Sequence, residues 1–305
     1  CEGFFEGNGH ILHGLRHQGG HNLGMFGALG PNAKVCNLGL EAVNVTGTGS
    51  NIGGLVGGNS GMIRACYTTG AISGSERIGG LVGRNGVDNE ERGTIVTCYS
   101  SATVRGNSEI GGLVGSNVYT YDERIDHSIN ASYSTGLVQG TGHNVGGLVG
   151  SGDVFEVLVS FWAVVTSGQA MSAGGLGKNS AEMHTPTTFL AWGTCAHQGI
   201  WTLDEGQAYP RLRWEQSEGE IISGDNSLID LLAGQGKADD PFLLERAEQL
   251  FWISRFPCDW DKNFKLDEDI DLHPDLPGGQ IFDQALLPEF SGRFDGDGHR
   301  ILNLT

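Results

Sequence analysis

The hexapeptide Ile52-Gly53-Gly54-Leu55-Val56-Gly57 returns at 78–83, at 110–115 and, opening with Val145, at 145–150; a degenerate copy precedes it at 23–27. The full copies are spaced by 26, 32 and 35 residues, so the intervening segments vary while the apolar core persists. A second series keeps step with the first: Ile63…Cys66-Tyr67, Ile95…Cys98-Tyr99, Ile129…Ser132-Tyr133 and Val157…Ser160-Phe161. A period of this size marks a repeat architecture, in which one unit is too small to bury a face and must stack on the next. A helical solenoid would need amphipathic stretches of roughly 10–15 residues, and the units hold only short apolar runs between glycines. The sequence therefore predicts an all-β parallel β-helix with equivalent strands about 4.8 Å apart. Leu55, Leu81, Leu113 and Leu148 form one ladder of that stack, and Tyr67, Tyr99, Tyr133 and Phe161 another.

Composition agrees with a turn-rich chain: 51 of 305 residues are glycine and eight are proline, against a usual glycine share of about 7%. Thirty-six acidic and 18 basic residues give a net charge of −18, which argues against nucleic acid or an anionic membrane surface as partner. No apolar run reaches the roughly 18 residues of a membrane span, so no membrane insertion is expected. Cys66 and Cys98 occupy equivalent positions in neighbouring units and read as small buried ladder residues interchangeable with Ser132 and Ser160; a disulfide between them is the alternative. Cys1, Cys36, Cys195 and Cys258 show no metal spacing, which leaves one disulfide among them open.

The Ile/Val-Gly-Gly-Leu-Val-Gly copies resemble the GLUG repeat of large exported bacterial surface proteins, adhesin-like chains among them. Ser160-Phe161-Trp162, Ser180-Ala181-Glu182-Met183 and Gly206-Gln207-Ala208-Tyr209-Pro210-Arg211-Leu212 are similar to the tail that closes such repeat blocks. The resemblance implies a right-handed helix, an extracellular or cell-surface location, and a shared motif that is structural, with no catalytic residues.

The end of the chain repeats its beginning. Gly292-Arg293-Phe294-Asp295-Gly296-Asp297-Gly298-His299 matches Gly3-Phe4-Phe5-Glu6-Gly7-Asn8-Gly9-His10 at an offset of 289 residues. Before the second copy, Leu244, Ala247, Leu250 and Phe251 recur at helical spacing after Asp240-Pro241, predicting a short amphipathic capping helix over 245–256. The expected organisation is a β-helix block at 1–218, a polar linker at 219–236, and at 237–305 the helix cap and first strands of a following block. On this reading the parent is a tandem array with a period near 290 residues.

Candidate chemical sites are few. His10, His13, His17 and His21 have helical metal-ligand spacing, but glycines at 14, 19 and 20 break any helix. Calcium is the one cofactor the acidic runs admit, at Asp267, Asp269 and Asp271 or at Asp295 and Asp297; the plainer reading is exposed carboxylates on a strand and a tight turn. Asp88, Glu90 and Glu91 share one loop, and Asp122, Glu123 and Asp126 another. The rung arginines (Arg64, Arg77, Arg84, Arg92, Arg105, Arg124) do not recur at one ladder position, as a polysaccharide-cleaving face would need. Tyr119, Tyr121, Trp192 and Trp214 are the aromatics that would serve glycan binding if exposed. Asn44, Asn130 and Asn303 match the glycosylation acceptor pattern.

The expected function is a non-enzymatic structural module, a rigid stalk or filament whose partners are copies of itself or adjacent blocks end to end. An adhesin binding extracellular glycan or protein through loops 84–93 and 116–128 is the alternative, and a polysaccharide-degrading enzyme the third.

Overall fold

The computed structural model describes residues 2–86, 93–118, 128–152, 157–193, 199–222, 232–254, 259–273 and 290–303. The chain forms two compact units, residues 1–188 with 200–221, and residues 189–199 with 222–305.

The first unit is a parallel β-solenoid. One turn runs through Glu76–Gly79, Val82–Asn85, Thr94–Val96, Tyr99–Ser100 and Thr103–Gly106 before the next begins at Ser108–Gly111. Each strand pairs in parallel with its equivalents above and below, as Val56↔Val82↔Val114↔Val149 and Ile63↔Ile95↔Ile129↔Val157 show. Among the described residues the ladders comprise a 14-stranded, a five-stranded and a four-stranded sheet. Leu55, Leu81, Leu113 and Leu148 are fully buried within one core, together with Ile52, Ile78 and Ile110. Each such side chain withdrawn from water contributes about 1.5–3 kcal/mol.

Short strands close into turns only if the backbone bends sharply at the corners. Here it does so through left-handed residues that also stack: Asn22, Asn51, Arg77, Glu109 and Asn144 at one corner, Ala65, Thr97, Ala131 and Val159 at another, with φ between 37° and 61°. A non-glycine residue there costs roughly 1–2 kcal/mol, offset by the ladder bonds the bend permits. The first glycine of the hexapeptide has a different reason. A Cβ on Gly79 would lie 2.0 Å from the Val82 carbonyl oxygen, because the chain doubles back against itself.

The second unit holds a shorter stack of the same kind. Phe242–Leu244 pairs in parallel with Asn263–Leu266, which pairs with Arg293–Asp295; Ile270–Asp271 pairs with Ile301–Leu302. Phe242, Leu244, Phe264, Leu266, Ile270 and Leu272 form its core with Leu250 and Ile253. The last two come from the α-helix Ala247–Ser254, which lies within the 245–256 expected from helical spacing. Ala191 packs against this core, and half of the expected linker, 223–231, lies outside the described residues. No helix among the described residues is long and apolar enough to cross a membrane.

Candidate functional site

The side chains brought together most densely are those of the tyrosine ladder and the segment that closes over it. Tyr67, Tyr99, Tyr133 and Phe161 are in register on successive turns. The tyrosine rings lie 4.8 and 5.0 Å apart and within 8° of parallel. One turn earlier the register supplies Gly39 opposite Tyr67, where a Cβ would come within 2.7 Å of the ring. The ladder stops there because the ring occupies that space.

Residues 200–221 cover this face. Trp201–Leu203, Arg211–Leu212 and Glu220–Ile221 form a small antiparallel sheet. Trp214 stacks on Tyr67 at 5.6 Å and donates its indole N–H to the Ala65 carbonyl at 3.2 Å, while Trp201 leans on Tyr99 and Tyr133. Each phenol is satisfied differently. Tyr67 donates to Glu41 at 2.7 Å, Tyr133 donates to the Pro210 carbonyl, and Tyr99 donates to Glu215 at 2.9 Å while accepting from Arg211 at 2.6 Å. Arg211 and Glu215 lie 3.5 Å apart, and the Glu215 side chain is 9% exposed. Burial pushes the Glu215 carboxyl above its usual range, against the Leu212 N–H, Tyr99 and Arg211, which favour its charge. Burial likewise raises all three phenols, so they stay protonated. The arrangement is an electrostatic clamp, with an ion pair and three phenols holding a strap against the stack. Sequence alone did not place Glu41, Arg211 or Glu215; only the Tyr-Pro-Arg-Leu run of the closing tail hinted at a role for Arg211.

A second polar ladder went unread although its signal is plain. Two residues after each hexapeptide stands Asn59, Asn85 or Asn117, and the fourth copy has Gly152. All three asparagines are buried. Asn59 donates to Asn85 at 2.7 Å, and Asn85 donates to Asn117 at 2.9 Å and to the Gly93 carbonyl at 2.8 Å. Asn59 also accepts from the Gly61 N–H, and Asn117 donates to Ser128. The ladder thus pins the base of each segment joining two sides of the solenoid. A third set, Cys66, Cys98, Ser132 and Ser160, is fully buried; the N–H of each of the first three points to the sulfur or oxygen of the next. Cys36, Cys66 and Cys98 are free thiols. Burial pushes the Cys98 thiol up to about 12 and Cys66 well above its usual value, so neither is a thiolate at neutral pH.

The other predicted residues are scattered. His10 and His13 lie on the strand Phe4–His13, His17 on Arg16–Gly19, and His21 beside Ser50, not on a helix. In the second unit Asp269, Asp271 and Asp297 each have partners of their own. Asp269 accepts from the Arg300 N–H, Asp271 from Asn303 at 2.7 Å, and Asp297 pairs with Lys265 at 2.7 Å. These partners hold the carboxyls of Asp269, Asp271 and Asp297 below the usual range. The run 267–271 is a bend followed by a two-residue strand, and its carboxylates tie one rung to the next; the continuous strand read from the sequence gives way to that corner. No group of three or more ligand residues that could hold a metal ion occurs among the described residues.

Trp192 is fully buried against Phe189, and Trp214 is half-buried on Tyr67, so neither is the free aromatic that glycan binding would use. Tyr119 and Tyr121, and the acidic residues at 88, 90, 91, 122, 123 and 126, lie outside the described residues, as do Cys1, Cys195 and Cys258. Asn44 and Asn303 are exposed and Asn130 is half-buried on a strand.

Ladders of this kind define a class, the parallel β-solenoid stacked from glycine-cornered turns. Within it, residues 74–105 match the model of the GLUG motif, one full turn of the stack, and the register places the same residues in the neighbouring turns. The chain carries GLUG repeats. It is also similar to halomucin of Haloquadratum walsbyi, at 34% identity over 88 residues, which is 28% of this chain and 1% of that protein. No solved structure matches the chain.

Proposed function

We propose that the chain is a non-enzymatic structural module of an extracellular or cell-surface protein, a rigid β-solenoid spacer whose blocks stack end to end. The observation that carries this reading is where the recurrent residues go. Valine, tyrosine, asparagine and the cysteine–serine set each recur turn by turn and pair with their own equivalents. A repeat selected for binding or chemistry would instead direct some recurring polar group outward. The likeness of 88 residues to part of a far longer protein supports a repeat module.

Light scattering and negative-stain imaging at several concentrations, with and without EDTA, test the proposal. Discrete rods or axially regular fibres are expected; compact particles would overturn it. A specific observation keeps the enzymatic alternative worth one assay: Glu41, Glu215 and Arg211 place two carboxylates and a base on one face. Both carboxylates accept phenol hydrogen bonds there. Release of reducing ends from any polysaccharide, abolished in Glu215→Gln, would replace the spacer reading with a hydrolase.

A further inference from the structure

The rung that opens the first unit and the rung that ends the second are the same rung seen from opposite sides. At the offset of 289 residues, Asn8 and Asp297 are both left-handed, as are Gly9 and Gly298, and Gly14 and Asn303. The turn bond recurs too: the Asn8 N–H donates to Glu6 at 2.8 Å, and the Asp297 N–H donates to Asp295 at 3.1 Å. The agreement at three left-handed positions and one side-chain turn shows that the two rungs share corner geometry as well as sequence.

The neighbours differ, and they complement one another. Phe4, Phe5 and Glu6 pair with Lys34, Val35 and Cys36, and Leu12 pairs with Leu40, all on the following turn. Their equivalents Arg293, Phe294 and Asp295 pair with Asn263, Phe264 and Lys265, and Ile301 pairs with Ile270, all on the preceding turn. Among the described residues each rung has a strand on one side only. The inward residues show it: Phe5 is 40% and Leu12 44% exposed in the first unit, and Ile301 is 37% exposed in the second, while Val35, Leu40, Phe264 and Ile270 are buried.

We infer that the free edge of Phe4–His13 is the seat of a cap built like Phe242–Leu244, the helix Ala247–Ser254, Asn263–Leu266 and Ile270–Asp271, supplied by the preceding copy of the same block. The two half-covered rungs then describe one fully covered rung of a continuous solenoid. Its register is Phe264 beneath Phe5 beneath Val35, and Ile270 beneath Leu12 beneath Leu40. The partner is thus another copy of this block, recognised by parallel strand pairing and by the tie of Asp269 to the N–H at position 300, which is Ile11 in the opening rung. Lys265 meets Asn8 there in place of Asp297, and the side-chain tie of Asp271 to Asn303 has no counterpart at Gly14. The inference rests on the spacer reading and gives it a junction.

The test uses the full chain doubled. Residue 305 of one copy is joined to residue 17 of the next, which keeps the offset of 289. Hydrogen exchange of residues 293–302 in the first copy is compared with the single chain. Burial between two strands is expected to slow those amides by about tenfold or more, and Phe264→Ala in the first copy is expected to reverse that protection. Unchanged exchange at 293–302, or a second copy that fails to melt cooperatively, overturns the junction. Rod-shaped particles with unprotected 293–302 would sink the junction and leave the spacer; protected 293–302 in a compact particle would do the reverse.

Discussion

The two units use the same parallel stacking, but they hold their rungs together by different means. In the first, contacts between turns are made by identical residues: tyrosine on tyrosine, asparagine on asparagine, cysteine or serine on the next. In the second, the core also stacks like on like, Phe242 on Phe264 and Ile270 on Ile301, but the polar ties at the exposed rim join unlike residues, carboxylate to amide or ammonium. Identical ladders extend without limit, because each turn presents the surface it needs from its neighbour. Unlike pairs work once, which suits a start or a boundary. A solenoid therefore needs both kinds, one for length and one for ends.

The sharpest way to break this comparison is Tyr99→Ala. It removes the central ring of the ladder and two of the clamp's hydrogen bonds, with an expected loss of about 3–5 kcal/mol in chemical denaturation. Exchange should rise from Tyr67 through Phe161 and stay unchanged in 242–272. Phe264→Ala in the single chain should do the opposite. Next in size is Asn85→Leu, which removes the acceptor of the Asn59 amide, one donor to Asn117 and the donor to the Gly93 carbonyl, at about 1–3 kcal/mol by the same measurement; equal stability would show the asparagine ladder to be dispensable.

Acidity should separate the clamp from the aspartates of the second unit by sign. Glu215 has a raised folded value, so the native clamp binds protons that the unfolded chain has released. Clamp stability is greatest below the ordinary 4.5 and falls as pH rises above it. Asp269, Asp271 and Asp297 have depressed folded values. Their stabilisation is complete above the ordinary 3.8 and is lost as pH falls through and below it. Exchange resolved to 201–215 and to 263–271 between pH 3 and 7 should show opposite slopes, and parallel slopes would contradict the assignment. The smallest effect belongs to Phe4→Ser, within about 0.5 kcal/mol in the single chain because Phe4 is 66% exposed there.

Much of the first unit was legible because its signal is repeated. Four copies in step gave the period, and the period gave the register, so Leu55 and Tyr67 fell on Leu81 and Tyr99. The asparagine ladder was equally repeated and was passed over because polar residues after glycine read as turn. What sequence could not carry was the clamp. Arg211 and Glu215 reach Tyr99 across more than a hundred residues, and nothing periodic marks such a contact. Left-handed corners were hidden for a different reason: Arg77 and Glu109 have no intrinsic preference for that backbone and adopt it because the stack imposes it. The aspartates of 267–271 looked like a solvated strand because composition cannot show that the next rung supplies their partners.

The asparagine ladder also decides where this molecule can change length. The strands ending at Asn59, Asn85 and Asn117 are separated from those opening at Met62, Thr94 and Ile129 by two, eight and eleven residues, and this corner accounts for nearly all of the variation in repeat spacing. With its first three bases fastened by Asn59, Asn85 and Asn117, chain can be inserted along this one ridge without disturbing the turns above or below. Variation accumulating there would be nearly neutral for folding, so the ridge is where lineages of this protein are free to diverge and where a foreign peptide is best grafted.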